Sequence, residues 1–290
     1  MITLSSDFRS PYPAAMRGVI RQWTGAEMVE VTHDLPRQDV RASAFWLREL
    51  LPYFPPAVHL AVIDPGVGTD RDAIVVCAGE HALVGPDNGV LVPVARRLAD
   101  EFDVFRVETR PGSAATGTDR TDWPPATASA TFHGRDVFAP AAAKVHVEGA
   151  DALESTAGFQ QVDSYERLAF PDPTLEDGGA TGEILAVDDF GNAITNIPGS
   201  HIADQFGTAV SVDGADAPLR ETYARVAAGQ RLVTVGSHGN VELAVNQGRG
   251  DEAFGVAAGH SHQESLTESP AATPNASSPR PWLTASSTLP

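Results

Sequence analysis

A chain of 290 residues with 42% hydrophobic side chains is long enough to bury two cores. Its formal net charge of −18, from 38 acidic against 20 basic residues, argues against an electrostatic hold on nucleic acid backbones. No apolar run approaches the ~20 residues of a membrane span, and Met1 leads straight into strand-like sequence. A globular, cytoplasmic protein without membrane or nucleic acid partners is therefore expected. The single cysteine, Cys77, lies in an apolar run and reads as a small buried hydrophobe. Lys144 is the sole lysine, and the last residues add only Glu264, Glu268 and Arg280, so the acidity belongs to the folded part. An acidic, lysine-poor surface is what a protein working in concentrated salt would show. At 1 M salt the Debye length is only ~3 Å, so such a surface would not steer ligands there.

In chain order, residues 1–4 read as a strand and 12–23 as a helix with Pro13 in its first turn. Residues 28–31 form a second strand. Asp39 is placed to cap a helix in which Val40, Ala44, Leu47 and Leu51 recur on one face. Strands follow at 58–63 and 73–77, then a helix after Asn88-Gly89 and a strand at 104–107. This alternation predicts an α/β N-terminal domain with a largely parallel sheet. Residues 111–130, rich in Pro, Gly, Ser, Thr and Ala, read as a long loop. An apolar helix from Asp136 to about Val147 follows, with Asp136 as its cap. The expected boundaries are an α/β domain over 1–170, a linker over 171–182, an all-β barrel-like domain over 183–258 and a disordered tail over 259–290.

The organising stretch is Ala61 to Arg71, where an apolar run delivers Asp64 into a Pro/Gly-rich turn and an arginine follows seven residues later. Strand ends of this kind are where open α/β sheets place ligand chemistry. By itself the stretch is equally consistent with an ordinary turn and an incidental ion pair. Other signals carry less. His133-Gly134-Arg135-Asp136 with Asp189-Phe190-Gly191 matches the spelling of two kinase motifs, but no Gly-rich loop and no strand lysine precede them. No spacing suits a metal, no phosphate loop is present, and His260 and His262 lie in the predicted tail. What remains is a set of polar residues at loop and strand ends: Asp7, Asp64, Arg71, His133, Asp188, Asn192 and Ser237. Singly each reads as a cap or turn residue. Together they divide between the two predicted domains.

Six segments carry a resemblance: Asp7-Phe8, Asp64 through Arg71, Gly85-Pro-Asp-Asn-Gly89, Thr131-Phe-His-Gly-Arg-Asp136, Asp188 through Asn192 on to Ile197, and Gly236-Ser-His-Gly239 with Glu242 through Asn246. In order and over about residues 1–258, they resemble the S-adenosyl-L-methionine (SAM) hydroxide adenosyltransferase family, SAM hydrolases related to the fluorinating and chlorinating enzymes. The resemblance implies a homotrimer with active sites between subunits, SAM as substrate and no cofactor or metal. It implies a catalytic triad of Asp64, Arg71 and His133. Asp7 would hold the ribose, and Asn192, helped by backbone near Val245, the adenine. Asp188 and Ser237 would meet the methionine end, and Glu242 lies in a matching motif. The sequence departs from the family at Arg9-Ser10-Pro11, where a glycine and a second acid are usual. Gln38 stands where an aromatic residue is usual, and His238 where the halogenases have arginine.

The implied reaction is attack of water or hydroxide on the 5′ carbon of SAM, giving adenosine and methionine. Two rivals stand beside it, a SAM-dependent 5′-halogenase and a protein that binds adenosine or SAM without turnover. The halogenases have an apolar or aromatic residue in place of Asp64 and a serine in the motif that holds His133 here. A carboxylate at Asp64 would repel halide, which favours hydrolysis.

Overall fold

A computed structural model describes residues 1–111 and 121–258, with two short paired strands at 263–264 and 285–286. The chain divides into two compact units, Met1–Ala169 and Phe170–Pro290. The first is built on a seven-stranded sheet. Its strands are β1 (Ile2–Ser6), β2 (Met28–Thr32), β3 (Val58–Val62), β4 (Ala73–Ala78), β5 (His81–Pro86), β6 (Phe102–Val107) and β9 (Phe159–Gln161), in the spatial order β2-β1-β3-β5-β4-β6-β9. A two-residue pair, β7 (Arg110–Pro111) with β8 (Ala126–Thr127), lies outside that sheet.

The helices are α1 (Tyr12–Trp23), α2 (Val40–Leu50), α3 (Val92–Leu98) and α4 (Ala139–Glu148). Pro13 sits in the first turn of α1, and the Asp39 carboxylate caps α2 by accepting from Ala42 N at 2.9 Å. Ile2, Leu4, Leu60, Val62, Val75 and Val84 share a core with Met16 and Ile20 of α1 and the small residues of α4. The alternating partners Ala61, Ile63, Ile74, Val76 and Leu83 are buried as well. Central strands covered on both faces read as continuous apolar runs, which is how they appeared in the sequence.

The sheet is mixed rather than largely parallel. β2, β1, β3 and β5 run parallel, but β4, β6 and β9 join through antiparallel pairings. The cause is a tight turn. Only residues 79 and 80 separate β4 from β5, and Gly79 takes φ 58°. A link that short can make a hairpin but not a crossover. The β5 strand is not expected from the sequence, where its apolar core is only Ala82 to Val84 between Gly79-Glu80-His81 and Gly85-Pro86. Asp136 also departs from expectation: it caps no helix. Gly134–Phe138 is a π-helical turn, α4 starts beyond it without a side-chain cap, and the Asp136 side chain is fully buried against Arg135.

The second unit contains an antiparallel sheet in the order β12 (Ile184–Val187), β13 (Ala193–Pro198), β17 (Asn240–Val245) and β16 (Arg231–Val235). Two hairpins accompany it, β10 (Thr174–Glu176) with β11 (Gly179–Thr181), and β14 (Ala209–Val212) with β15 (Ala215–Pro218). Asp213 and Gly214 close the latter with φ of 50° and 78°, the backbone that a two-residue hairpin turn demands. A Leu219–Val233 bridge ties that hairpin to β16. Ile184, Ile197, Val212, Leu219, Val233 and Leu243 fill the core. Apart from the paired strands at 263–264 and 285–286, the predicted tail lies outside the described residues, as does the middle of the predicted 111–130 loop.

Candidate active site

In the first unit two of the predicted site residues stand at the carboxyl ends of parallel strands. Asp7 follows β1, and Asp64 follows β3 by two residues. Gly66 and Gly68 shape the turn beyond Asp64. A Cβ at Gly66 would lie 3.1 Å from the Arg71 guanidinium, so the missing side chain lets Arg71 fold back beneath the turn. Gly68 takes φ 86°, and a Cβ there would stand 2.5 Å from the Ala130 carbonyl oxygen. That close approach draws the turn against the segment leading to His133.

Arg71 Nη2 donates to Asp64 Oδ1, and the two side chains are only 16% and 7% exposed. Asp64 Oδ2 and Arg71 Nε are buried yet bonded to no group among the described residues. Buried polar atoms are ordinarily satisfied, so an unpaired acceptor and an unpaired donor in one ion pair are an exception of the kind that functional sites carry. Burial pushes the Asp64 carboxyl above its usual range, and Asp7 adds to the rise. The charge and hydrogen bond of Arg71, with the charge of His133, oppose it. Asp7, Asp64, Arg71 and His133, separate in sequence, thus share one electrostatic environment.

Neighbouring groups hold Asp7 and surround His133. Asp7 Oδ2 accepts from the backbone N–H of Gln38 at 2.7 Å, and Gln38 adopts a left-handed φ of 60°. Gln38 therefore serves through its backbone, which its side-chain identity could not reveal. Beside Asp7, the Ser6 hydroxyl donates to Phe8 O at 3.1 Å and lies 2.7 Å from His33 Nδ1, whose other ring nitrogen pairs with Glu30. His133 opens the π-helical turn. Next to it, Phe132 packs edge-on against Phe8 and Tyr12 with centroids 6.0 and 5.4 Å away, and Arg135 lies over the Phe132 ring while forking onto Asp136 at 2.6 and 2.9 Å.

In the second unit the polar residues form a connected chain. Asp188 accepts from Asn192 N at 2.8 Å and from Asn192 Nδ2 at 2.9 Å. Tyr223 donates to Glu242 Oε2 at 2.8 Å, and His238 Nε2 lies 3.3 Å from Glu242 Oε1. Tyr223 also stands 3.5 Å from Asn192 Nδ2. Burial raises the Glu242 carboxyl, the Tyr223 hydrogen bond opposes this, and Asp188 adds to the rise. Tyr223 is raised in turn, by burial first and then by Glu242. Ser237 is exposed on the turn between β16 and β17, Val245 ends β17, and Phe190 is 79% exposed on the turn before Asn192. Sequence reasoning missed Tyr223. Its only signal was a lone aromatic in a polar segment, Glu221-Thr-Tyr-Ala-Arg225.

The mixed α/β unit carries a buried acid–guanidinium pair at its strand ends, where open α/β sheets place ligand chemistry, and the antiparallel β unit carries an amide–carboxylate chain. The family model of the SAM hydroxide adenosyltransferase N-terminal domain matches residues 2–155, and that of the C-terminal domain matches residues 182–263. The chain belongs to the SAM hydroxide adenosyltransferase family. It is 40% identical over 249 residues to the (R)-S-adenosyl-L-methionine hydrolase of Salinispora tropica, covering 86% of this chain and 90% of that one. It is 41% identical over 261 residues to the enzyme of the same name from Thermus thermophilus, covering 88% and 95%. A solved structure of an uncharacterized conserved protein from Thermotoga maritima superposes with a TM-score of 0.73 at 32% identity, over 89% of this chain and 97% of that one.

Proposed function

We propose that the chain hydrolyses SAM to adenosine and L-methionine by attack of water on C5′. The observation that carries this reading is the Asp64–Arg71 pair. One carboxylate oxygen is engaged by the guanidinium, the other is buried and open, and His133 and Asp7 act on the same charge. Water seated on Asp64 Oδ2 becomes a better nucleophile as the carboxylate draws on its proton. Arg71, permanently charged, keeps the carboxylate from turning away. The C5′–S bond breaks as the O–C5′ bond forms, its electron pair stays on sulfur as neutral methionine, and one water proton is released. The sulfonium needs no acid to leave. Alignment of water behind the C–S bond is the demanding part, and positioning can supply ~7–11 kcal/mol of such a barrier.

Asp64, Arg71 and His133 are assigned to the chemistry and Asp7 to the ribose. Asn192, with backbone near Val245, is assigned to adenine. Asp188, Ser237 and Glu242 are assigned to the rest of the substrate. The names of the relatives extend the reading to the (R)-sulfonium epimer. We further read the second unit as barrel-like, which the Leu219–Val233 bridge supports, and the chain as a homotrimer adapted to salt. Incubation with SAM in ¹⁸O-water tests the reaction: label is expected in the adenosine 5′-hydroxyl with equimolar methionine. Unlabelled adenosine, or a 5′-halo-adenosine in the presence of chloride or fluoride, would overturn hydrolysis. Resolved epimers test the stereochemistry, and a mass in solution tests the trimer.

A further inference from the structure

We infer that Asp87 and Asn88, in the turn after β5, are positioning residues for the Asp64–Arg71 pair, an inference that rests on the hydrolase reading of that pair. The β3–β5 ladder ends at Leu60–Val84, so the chain from Ala61 to Asp64 runs beyond the regular register. Two features replace it. Gly85 lacks a Cβ, which would stand 2.4 Å from the Ala61 carbonyl oxygen, and so lets β3 lie close. Asn88 Nδ2 then donates to the Ile63 carbonyl at 2.8 Å. A peptide unit is planar, so holding the Ile63 oxygen fixes the plane that ends at the Asp64 Cα.

The other flank is held by the neighbouring residue. The β4–β5 ladder ends at Ala73–Pro86, and Asp87 N extends it by donating to the Asp72 carbonyl at 3.0 Å. Two consecutive residues therefore tie down both ends of the loop, one residue before Asp64 and one after Arg71. The Asp87 carboxylate accepts from Glu166 N at 2.8 Å, and Gly89, at φ 86°, leaves room for Leu168, which a Cβ would meet at 2.8 Å. The turn is thus anchored on its far side as well. An ordinary Asx turn would use only Asn88 Oδ1, which does accept from Val90 N at 3.2 Å. The Nδ2 bond, reaching back 25 residues, is not required to make the turn.

The test uses the full chain with Asn88→Asp, which keeps the Oδ1 acceptor and removes the donor, and Asn88→Ala, which removes both without adding charge. With SAM, kcat is expected to fall about 10–100-fold while KM stays within about threefold, because ~1 Å of misplacement costs rate on that scale. Removing the brace also loosens the Arg71 hold on Asp64. The acid limb of kcat should therefore move to higher pH, and an NMR titration of the Asp64 carboxyl should move the same way in Asn88→Ala. Unchanged kcat in both variants, or a loss confined to KM, overturns the inference. An unmoved Asp64 titration in Asn88→Ala overturns it even if the unsubstituted chain fails to turn over SAM, a result that would sink the hydrolase reading separately.

Discussion

The two units handle buried carboxylates differently. In the first, Asp64 meets a full countercharge in Arg71 and keeps one oxygen open. In the second, Glu242 meets a neutral phenol and an imidazole, and both its oxygens are occupied. Asp188 likewise spends both oxygens on Asn192. An open, charge-balanced carboxylate is suited to act on a reactant. One with a partner on each oxygen holds neighbouring side chains still and keeps further lone pairs for a substrate group. The first unit should accordingly govern kcat and the second KM.

The largest expected effect is at Asp64. Asp64→Asn keeps the shape but removes the charge that draws on the water proton, and kcat should fall on the order of 10³-fold, the scale of a lost general base. Single-turnover formation of adenosine measures it, and a loss of less than tenfold would break the division between the units. Arg71→Lys comes next. It replaces a fork with a point charge, so turnover should drop about 10²-fold with a smaller change in SAM affinity. Arg71 pulls the Asp64 carboxyl down against burial; Arg71→Ala should therefore move the acid limb of the rate profile upward.

In the second unit, Asn192→Ala should raise KM about tenfold and leave kcat within about twofold, the worth of one or two hydrogen bonds. Equal falls in kcat and kcat/KM would instead place Asn192 in the reacting step. Tyr223→Phe leaves Glu242 Oε2 without its donor and should cost about 1–3 kcal/mol of stability, measured by urea unfolding.

The smallest effect on activity, though not on stability, concerns His59. It is fully buried, hydrogen-bonded to Thr3 at 2.8 Å and to His81 at 2.9 Å, and burial, then His81, lowers its pKa to about 3. The unfolded chain takes up this proton near pH ~6.5 and the folded chain does not. Stability should fall as pH drops below ~6.5 and level off below the folded value, by an order of a few kcal/mol. His59→Asn should flatten that slope in pH-dependent thermal unfolding of the first unit. An unchanged slope would assign the acid sensitivity elsewhere.

Much of this was legible in the residues. Asp64 and Arg71 drew notice because a strand running into Pro-Gly-Val-Gly must turn there. The turn alone fitted an incidental ion pair equally well, and it was the accompanying motifs that singled the pair out. Asp39 announced its helix because a short carboxylate before an apolar periodic run has an unpaired N–H to receive it. Asn192 was found by its motif; its locking by Asp188 was not, since a carboxylate four residues away has many possible partners. Tyr223 stayed invisible because its hydroxyl reaches from a short helical turn to Glu242 in β17, 19 residues on.

By itself, the sequence missed β5, β9 and the β10–β11 hairpin. It determined most of the strands and helices before residue 150, the change from α/β to β character along the chain, and the chemical types available at the strand ends. Those depend on local propensity, apolar periodicity and turn chemistry, all of which act over a few residues. Only the tertiary structure decided that β5 inserts between β3 and β4 and makes the sheet mixed. It alone decided that Asp136 is buried rather than capping, and that Asp87 and Asn88 brace the loop of Asp64. Strand order and side-chain partnership are settled by which surfaces bury one another, and that choice is made between residues far apart in the chain.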